Sequence, residues 1–405
     1  MGDKVRDQML AIDGGSPVRT EKLPFVRVSY GYEELQEIVD VFERGIFCSV
    51  YAEAEKVRAL EDAFAEYAGV RHAVAFSSGT TAQHASLLAA GVGPGDEVIV
   101  PPLTFASTAY TVLLAGAKPV FADVDDNTIT LDPERVAEVM TERTRAIVPV
   151  HWFGHPAAMD ELLALAEPAD VVVIEDCAHG FGTAYRGRAA GTMGQMACWS
   201  LQESKVLTSA GEGGMLTTDD DRMAEIAASI CDHGKDKRAG WQEAGGYRIV
   251  RVGNNYRLSE IHAAFGLAQL RKAETLRAAR RAHTKVLDEA LSEVKGLRRP
   301  QPWPDVELSY AYYPLRFEEE SFTVDVDRIS DALTAEGIAN GVGFGREELC
   351  HVHPLFVEHC GEVSLPVAER IARELLALPL YPDLTRSDLD EVVTAVRKVS
   401  AAYAA

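Results

Sequence analysis

The sequence predicts an α/β fold, a large domain built on a mostly parallel sheet and followed by a smaller C-terminal α+β domain. Two observations carry this expectation. From about residue 68 to about residue 218, short apolar runs alternate with helical stretches, and continuous apolar strands separated by helices belong to a parallel sheet covered on both faces. Beyond about residue 291 the pattern changes to scattered strand-like and helical segments. The 405 residues are long enough for two or more domains. Boundaries at the pattern changes give an N-terminal arm (1–30), a large domain (31–275) and a small one (276–405).

Taken in order, residues 52–68 read as an amphipathic helix with Val57, Leu60, Phe64 and Tyr67 on one face. The strand-like runs are HAVAF (72–76), EVIV (97–100), PVFAD (119–123), RAIVPV (145–150), VVVIED (171–176) and MACWS (196–200). A long helix starts near Ser259 and runs to about Ala290. Its later part shows no dominant apolar stripe, as expected of a helix spanning between domains. Further on, SYAYYPLRF reads as a strand and VDRISDALTAEG as a helix, and the helix over 388–399 is entered through Thr385 or Ser387 as caps.

Composition narrows the function. Lys plus Arg number 40 against 62 Asp plus Glu, a formal net charge of −22. A surface that negative repels phosphate backbones and anionic lipid, so neither nucleic acid nor a membrane is an expected partner. An anionic cofactor needs a local pocket of donors. No apolar run approaches the roughly 18 residues of a spanning helix, and the opening MGDKVRDQMLAIDGG lacks a secretory apolar region. The cysteines (Cys48, Cys177, Cys198, Cys231, Cys350, Cys360) follow no disulfide rhythm, which suits a reducing cytoplasm.

Ligands of open parallel sheets sit at the carboxyl ends of the strands, and polar groups cluster there. HAVAF is followed by Ser77-Ser78-Gly79-Thr80 and a helix; VVVIE delivers Asp176, with His179 shortly after; MACW delivers Ser200, and Lys205 follows in the next loop. Each has a task if the ligand is pyridoxal 5'-phosphate. Ser78, Gly79 and Thr80 open a helix whose N–H groups suit a phosphate, and Ser200 adds a hydroxyl. Asp176 can keep the pyridine nitrogen protonated. Lys205 can form the imine and carry a proton between carbons. Taken singly, each has a plainer reading: a helix start, a structural acid, a cap, a solvated lysine. Order and spacing make the case.

At these residues the chain resembles the DegT/StrS family of aminotransferases, which act on keto-sugars and keto-cyclitols. The resemblance runs through FAEYAGVRHAVAFSSGTTA, GVGPGDEVIVPPLTFASTA, GAKPVFADVD, TRAIVPVHWFGHPAAMDEL, IEDCAHGFGTAYRGR, GEGGMLTT, NNYRLSEIHAAFGLAQL and LALPLYPDLTRSDL. It implies the pyridoxal-phosphate fold type I and several roles. Phe105 is the aromatic stacked on the cofactor ring, where the residues alone suggest core. His179 contacts the cofactor's phenolic oxygen or the substrate. Asn255 reaches the phosphate of a neighbouring subunit, implying a homodimer with shared sites, although the residues alone favour a helix cap. The segments AIDGGSPVRTEKLPF and SLQESKVLTS are similar to the cyclitol and aminohydroxybenzoate branch. That implies a keto-cyclitol acceptor such as scyllo-inosose, L-glutamine as amino-acid donor, and a ping-pong order.

Three departures from the family pattern fall near the expected acceptor entrance. Five residues rather than four (Val206 to Ala210) separate Lys205 from Gly-Glu-Gly-Gly, Gly194-Gln195 replaces Gly-Asp, and VGFGREELCHVH stands where relatives carry tyrosine-proline-leucine-histidine. Competing readings are a nucleotide-keto-sugar aminotransferase, a sugar dehydratase (argued against by Lys205), an aromatising enzyme and a non-catalytic regulator. A nicotinamide dehydrogenase would need G-x-G-x-x-G after its first strand, and Gly180 to Tyr185 lacks the third glycine. Cys350, His351, His353, His359 and Cys360 are zinc-ligand types, but too densely spaced for a typical structural site. No metal is expected.

Overall fold

The computed structural model describes residues 9–51, 53–236, 248–301, 303–341 and 343–405, so residues 1–8 of the expected arm lie outside the described residues. The strands are β1 (His72–Phe76), β2 (Glu97–Val100), β3 (Lys118–Phe121), β4 (Thr144–Ile147), β5 (Val172–Asp176), β6 (Ala184–Tyr185), β7 (Arg188–Ala189), β8 (Met196–Ser200), β9 (Gly214–Thr218), β10 (Leu297–Arg298), β11 (Val306–Glu307), β12 (Tyr313–Phe317) and β13 (Leu375–Leu378). Seven form the central sheet in the order β1-β9-β8-β5-β4-β2-β3. Its ladder from β8 to β3 is parallel, whereas β9 runs antiparallel to both β8 and β1. The chain is therefore an α/β protein with a mostly parallel sheet, as the sequence predicts.

Each predicted run seeds a strand, and the central ones bury their side chains on both faces: β2 is wholly buried, β8 is buried except at Ser200, and β5 except at Val172, whereas β1 and β3 are only partly covered. Strand β9 is not foreseen as one. Two of its five residues are threonines, and the burial of Thr217 depends on a partner, the Trp199 Nε1–H that donates to its hydroxyl at 2.9 Å. Strands β10, β12 and β13 build a second, antiparallel sheet, and β11 pairs with the β6–β7 hairpin.

Among helices, the first predicted one is Lys56–Ala68, burying Val57, Leu60 and Phe64, with Tyr67 stacked on Phe181 at 4.9 Å. The expected long helix is two, Glu260–Arg271 and Ala273–Leu291, interrupted at Lys272. The second does carry a buried stripe (Ala273, Leu276, Arg280, Leu287, Leu291). An arginine holds one core position, which hides the stripe from a hydrophobicity pattern; its guanidinium donates to the carbonyls of Ala311, at 2.8 Å, and Leu380. The helix Val326–Ala335 starts at Asp325, and Arg386–Ala402 is capped by Thr385 rather than Ser387. Among the described residues, no helix is long and apolar enough to cross a membrane.

Candidate active site

The carboxyl ends of β1, β5 and β8 border a cleft of about 540 Å³. Ser78, Gly79, Thr80, Phe105, Asp176, His179, Ser200 and Lys205 all line it. Eight of the nine predicted site residues thus converge, although they come from segments more than 120 residues apart (205 − 78 = 127). Asn255 does not join them; it is exposed and bridges Asp232. Nor does it cap the following helix, since Ser259 accepts that bond from the His262 N–H. The helix-cap reading of Asn255 is excluded, and its side chain faces outward.

One end of the cleft is a helix N-terminus. Ser78 is the N-cap of Gly79–Ala89, and its hydroxyl accepts from the Thr81 N–H at 3.1 Å. That leaves the amides of the first turn, with the positive end of the helix dipole, directed at the cleft. Gly79 is needed for contact rather than for its φ: a Cβ there would lie 3.0 Å from Ser200 Cβ. Ser200 therefore sits directly against the turn, where its hydroxyl also receives the Gln202 N–H at 3.4 Å. One helical turn further in, Gln83 is buried and its Nε2 donor has no protein partner. A buried orphan donor needs an acceptor, and an anionic ligand in this cleft supplies one.

At the opposite side stands Asp176, buried at the end of β5. Its Oδ1 accepts from the Ala178 N–H at 3.0 Å and its Oδ2 from the Thr108 hydroxyl at 2.9 Å. Thr108 is in turn 2.8 Å from the Thr104 hydroxyl, one helical turn earlier. Burial raises the carboxyl above its ordinary range, and these donors and the Lys205 charge pull it back only in part. A carboxylate so placed gains from a cationic partner such as a protonated ring nitrogen.

Between these two ends lies Lys205. Its Nζ is 2.9 Å from His179 Nε2. The other ring nitrogen, Nδ1, accepts the Phe153 N–H at 3.3 Å, so the ring proton belongs on Nε2 and points at Lys205. With that tautomer the contact favours the neutral amine over the ammonium at Nζ. Burial lowers the Lys205 ammonium and lowers the His179 imidazolium even further below its usual range, in the same sense. His179 is fixed by Trp152, whose ring lies 4.9 Å away at 30°. Phe153 adopts φ 57°, a costly left-handed conformation for a bulky residue, and its amide is the one that meets His179.

Thr108, Gln83, Trp152, Tyr312 and Glu348 also line or support the cleft and carry no individual signal in the sequence. Tyr312 donates to Ser204 Oγ at 2.7 Å, bracing the loop that carries Lys205. Phe105, by contrast, is 57% exposed on the cleft wall, so the core reading fails for it. In the lengthened Lys205 loop, Ala210 is exposed and adopts φ 60°. Gln195 has a structural task, its Oε1 accepting the Val173 N–H at 2.8 Å. Arg257 is paired with Asp232 at 2.7 Å and lies away from the cleft. The zinc-type side chains disperse to separate partners. Cys350 goes to the Thr104 carbonyl, His351 to Glu369, His353 and His359 to backbone carbonyls, and Cys360 to the Pro119 carbonyl.

Residues 29–397 match the DegT/DnrJ/EryC1/StrS aminotransferase family. A Bacillus subtilis spore coat polysaccharide biosynthesis protein, SpsC, is 36% identical over 389 residues, 94% of this chain and 98% of that protein. Among solved structures, the sugar aminotransferase CalS13 from Micromonospora echinospora superposes with a TM-score of 0.83 at 28% identity, covering 92% of this chain and 99% of its own. DesV from S. venezuelae, solved with a ketimine intermediate, gives a TM-score of 0.84 at 32% identity, over 94% of this chain and 99% of DesV. The chain belongs to the DegT/DnrJ/EryC1/StrS family; it is a sugar aminotransferase of fold type I and uses pyridoxal phosphate.

Proposed function

We propose that this family member transfers an amino group from an amino acid, L-glutamine in our reading, to a neutral keto-cyclitol or keto-sugar, in a ping-pong order, with Lys205 and Asp176 as the working pair. The observation that carries this is the Lys205 Nζ, 2.9 Å from His179 Nε2 and in one cleft with the buried Asp176. Pyridoxal phosphate, when bound, supplies an aldehyde for the amine and a ring that withdraws electrons. The residues do the rest. The amides of Gly79 and Thr80, with Ser78, Ser200 and the Gln83 amide, suit its phosphate end. Asp176 holds a proton at the ring nitrogen. Lys205 is the amine that would hold the aldehyde and, when free, would carry the proton taken from the substrate carbon. His179 orients the Lys205 lone pair, and Phe105 covers the ring.

Support for a neutral acceptor comes from charge. The lining includes the carboxyl groups of Asp176, Glu212 and Glu348 and, among the described residues, no arginine to pair a phosphate. A diphosphate-bearing sugar would meet repulsion there. The nucleotide-keto-sugar reading still has support of its own, because relatives are named as sugar aminotransferases.

A homodimer completes the proposal. The helix Tyr32–Arg44 exposes Tyr32 (70%), Leu35 (50%), Val39 (53%) and Phe42 (61%), spaced three and four residues apart and so along one face. An exposed apolar stripe of that kind marks a protein interface, and a second copy whose outward-facing Asn255 reaches the phosphate would cover it. We place the protein in the cytoplasm, working in secondary metabolism such as antibiotic synthesis.

The test has two stages. Protein loaded with pyridoxal phosphate is mixed with L-glutamine, and conversion from the aldehyde to the amine spectrum is recorded. Scyllo-inosose and a UDP-linked 4-keto sugar are then offered in turn, and product masses are measured. An amine gained by scyllo-inosose supports the reading; loss of water, or amination of the nucleotide sugar alone, overturns the acceptor assignment.

A further inference from the structure

Glu348 lines the same cleft, and its Oε2 is buried without a hydrogen-bond partner. Its backbone is anchored. The Glu348 carbonyl accepts the Thr104 N–H at 3.1 Å, the Cys350 N–H donates to the Pro102 carbonyl at 2.7 Å, and Leu349 bridges Leu103. The segment is thereby stitched to the turn that bears Phe105, so the carboxyl is held in the cleft. An unpartnered carboxyl oxygen in a buried position is costly unless something arrives to bond it.

The other ionisable groups around it are engaged. Asp176 is bonded to Thr108 and Ala178, His179 to Phe153 and Lys205, and Tyr312 to Ser204. Glu212 and Glu347 are exposed, and Cys350 donates to the Thr104 carbonyl. In the proposed function Lys205 is committed to the cofactor. Aminotransfer nevertheless requires a proton to leave nitrogen, since a donor arrives as an ammonium ion and cannot attack carbon until it is neutral.

We propose that Glu348 is a catalytic base and acid for substrate nitrogen, leaving Lys205 to the proton on carbon. This rests on the aminotransferase reading above. In the donor half-reaction, an N–H bond of the donor ammonium breaks and an O–H bond forms at Glu348 Oε2, leaving the lone pair on nitrogen. In the acceptor half-reaction the new amine takes that proton back and departs as ammonium. Glu348 ends the cycle ionised, and no further reactant is needed. Burial raises this carboxyl to about 8, with the Lys205 charge pulling down and Glu347 pushing up. That lies near neutral pH, where one group can both accept and return a proton.

The test follows the donor half-reaction with L-glutamine across pH, for wild type, Glu348→Gln and Glu348→Asp, each loaded with pyridoxal phosphate. The aldehyde absorbance before mixing checks loading in every case. Near pH 7, Glu348→Gln is expected to react ~10²–10⁴-fold more slowly. The deficit should close toward about pH 9.5, where more of the donor is already neutral, and Glu348→Asp should recover part of the rate. A deficit constant across pH, or none, overturns the proposal while leaving the enzyme an aminotransferase. If wild type itself converts with no amino donor, the functional reading falls first and this one with it.

Discussion

Replacing Thr108 by valine tests how the site keeps Asp176 ionised. Valine matches threonine in shape, so the change removes one hydroxyl and little volume. The lost bond is the 2.9 Å contact to Asp176 Oδ2, made inside the protein. A hydrogen bond to a charged group is worth about 1.5–3 kcal/mol, and a pKa unit about 1.36 kcal/mol. Asp176, already raised by burial, should therefore rise by a further one to two units, approximately. The proton shared with a ring nitrogen would shift toward the carboxyl by the same amount. Proton removal from the donor carbon, which depends on that charged ring, should slow about 10- to 100-fold. Stopped-flow decay of the aldehyde absorbance with L-glutamine measures it. Thr108→Ser keeps the hydroxyl and should stay close to wild type, which separates the hydrogen bond from packing. Calorimetry should also show Thr108→Val destabilised by about 1–3 kcal/mol, because Thr104 loses its partner as well. If valine and serine variants react at the wild-type rate, Thr108 does not tune Asp176 and the account of this end of the site is wrong.

Four further outcomes are expected. Lys205→Ala should abolish the imine absorption band, and borohydride followed by peptide mapping should label wild type at Lys205 and leave the variant unlabelled. Phe42→Glu, on the exposed apolar stripe, should shift sedimentation toward a monomer and reduce turnover; an unchanged dimer would exclude that face. Ala210→Gly should raise stability by about 0.5–1 kcal/mol, because glycine relieves a left-handed φ at an exposed site, and a lower melting temperature would refute it. Stripping the cofactor should lower Tm, and pyridoxal phosphate restored to about 100 times its Kd should return about 2.7 kcal/mol.

What could be read from the sequence was what local pattern encodes. Six strands announced themselves because a doubly covered sheet demands unbroken apolar runs, and the polar residues ending three of them were visible as exceptions to those runs. Lys205, Asp176 and the Ser78–Thr80 turn were found that way. What escaped was what folding alone creates. Thr108 sits in a helix where a threonine is unremarkable, and only the register of two elements 68 residues apart (176 − 108) makes it the donor to Asp176. Strand β9 hid because its threonines are buried by partners, Thr217 by Trp199 on β8 and Thr218 by the Gln195 carbonyl just before it. Arg280 masked a core stripe by taking a core position and bonding two carbonyls. Glu348 is the sharpest case. Its segment was visible as a departure from the family pattern, yet a glutamate in GREEL reads as surface. Only the pairing of Leu349 with Leu103 turns it inward, toward a lysine 143 residues away (348 − 205). An ionisable residue on a segment that breaks a family's motif, predicted to lie near the site, therefore warrants the same scrutiny as the motif itself. Its chemistry is set by its neighbours in space, and the motif was the only guide to who those neighbours are.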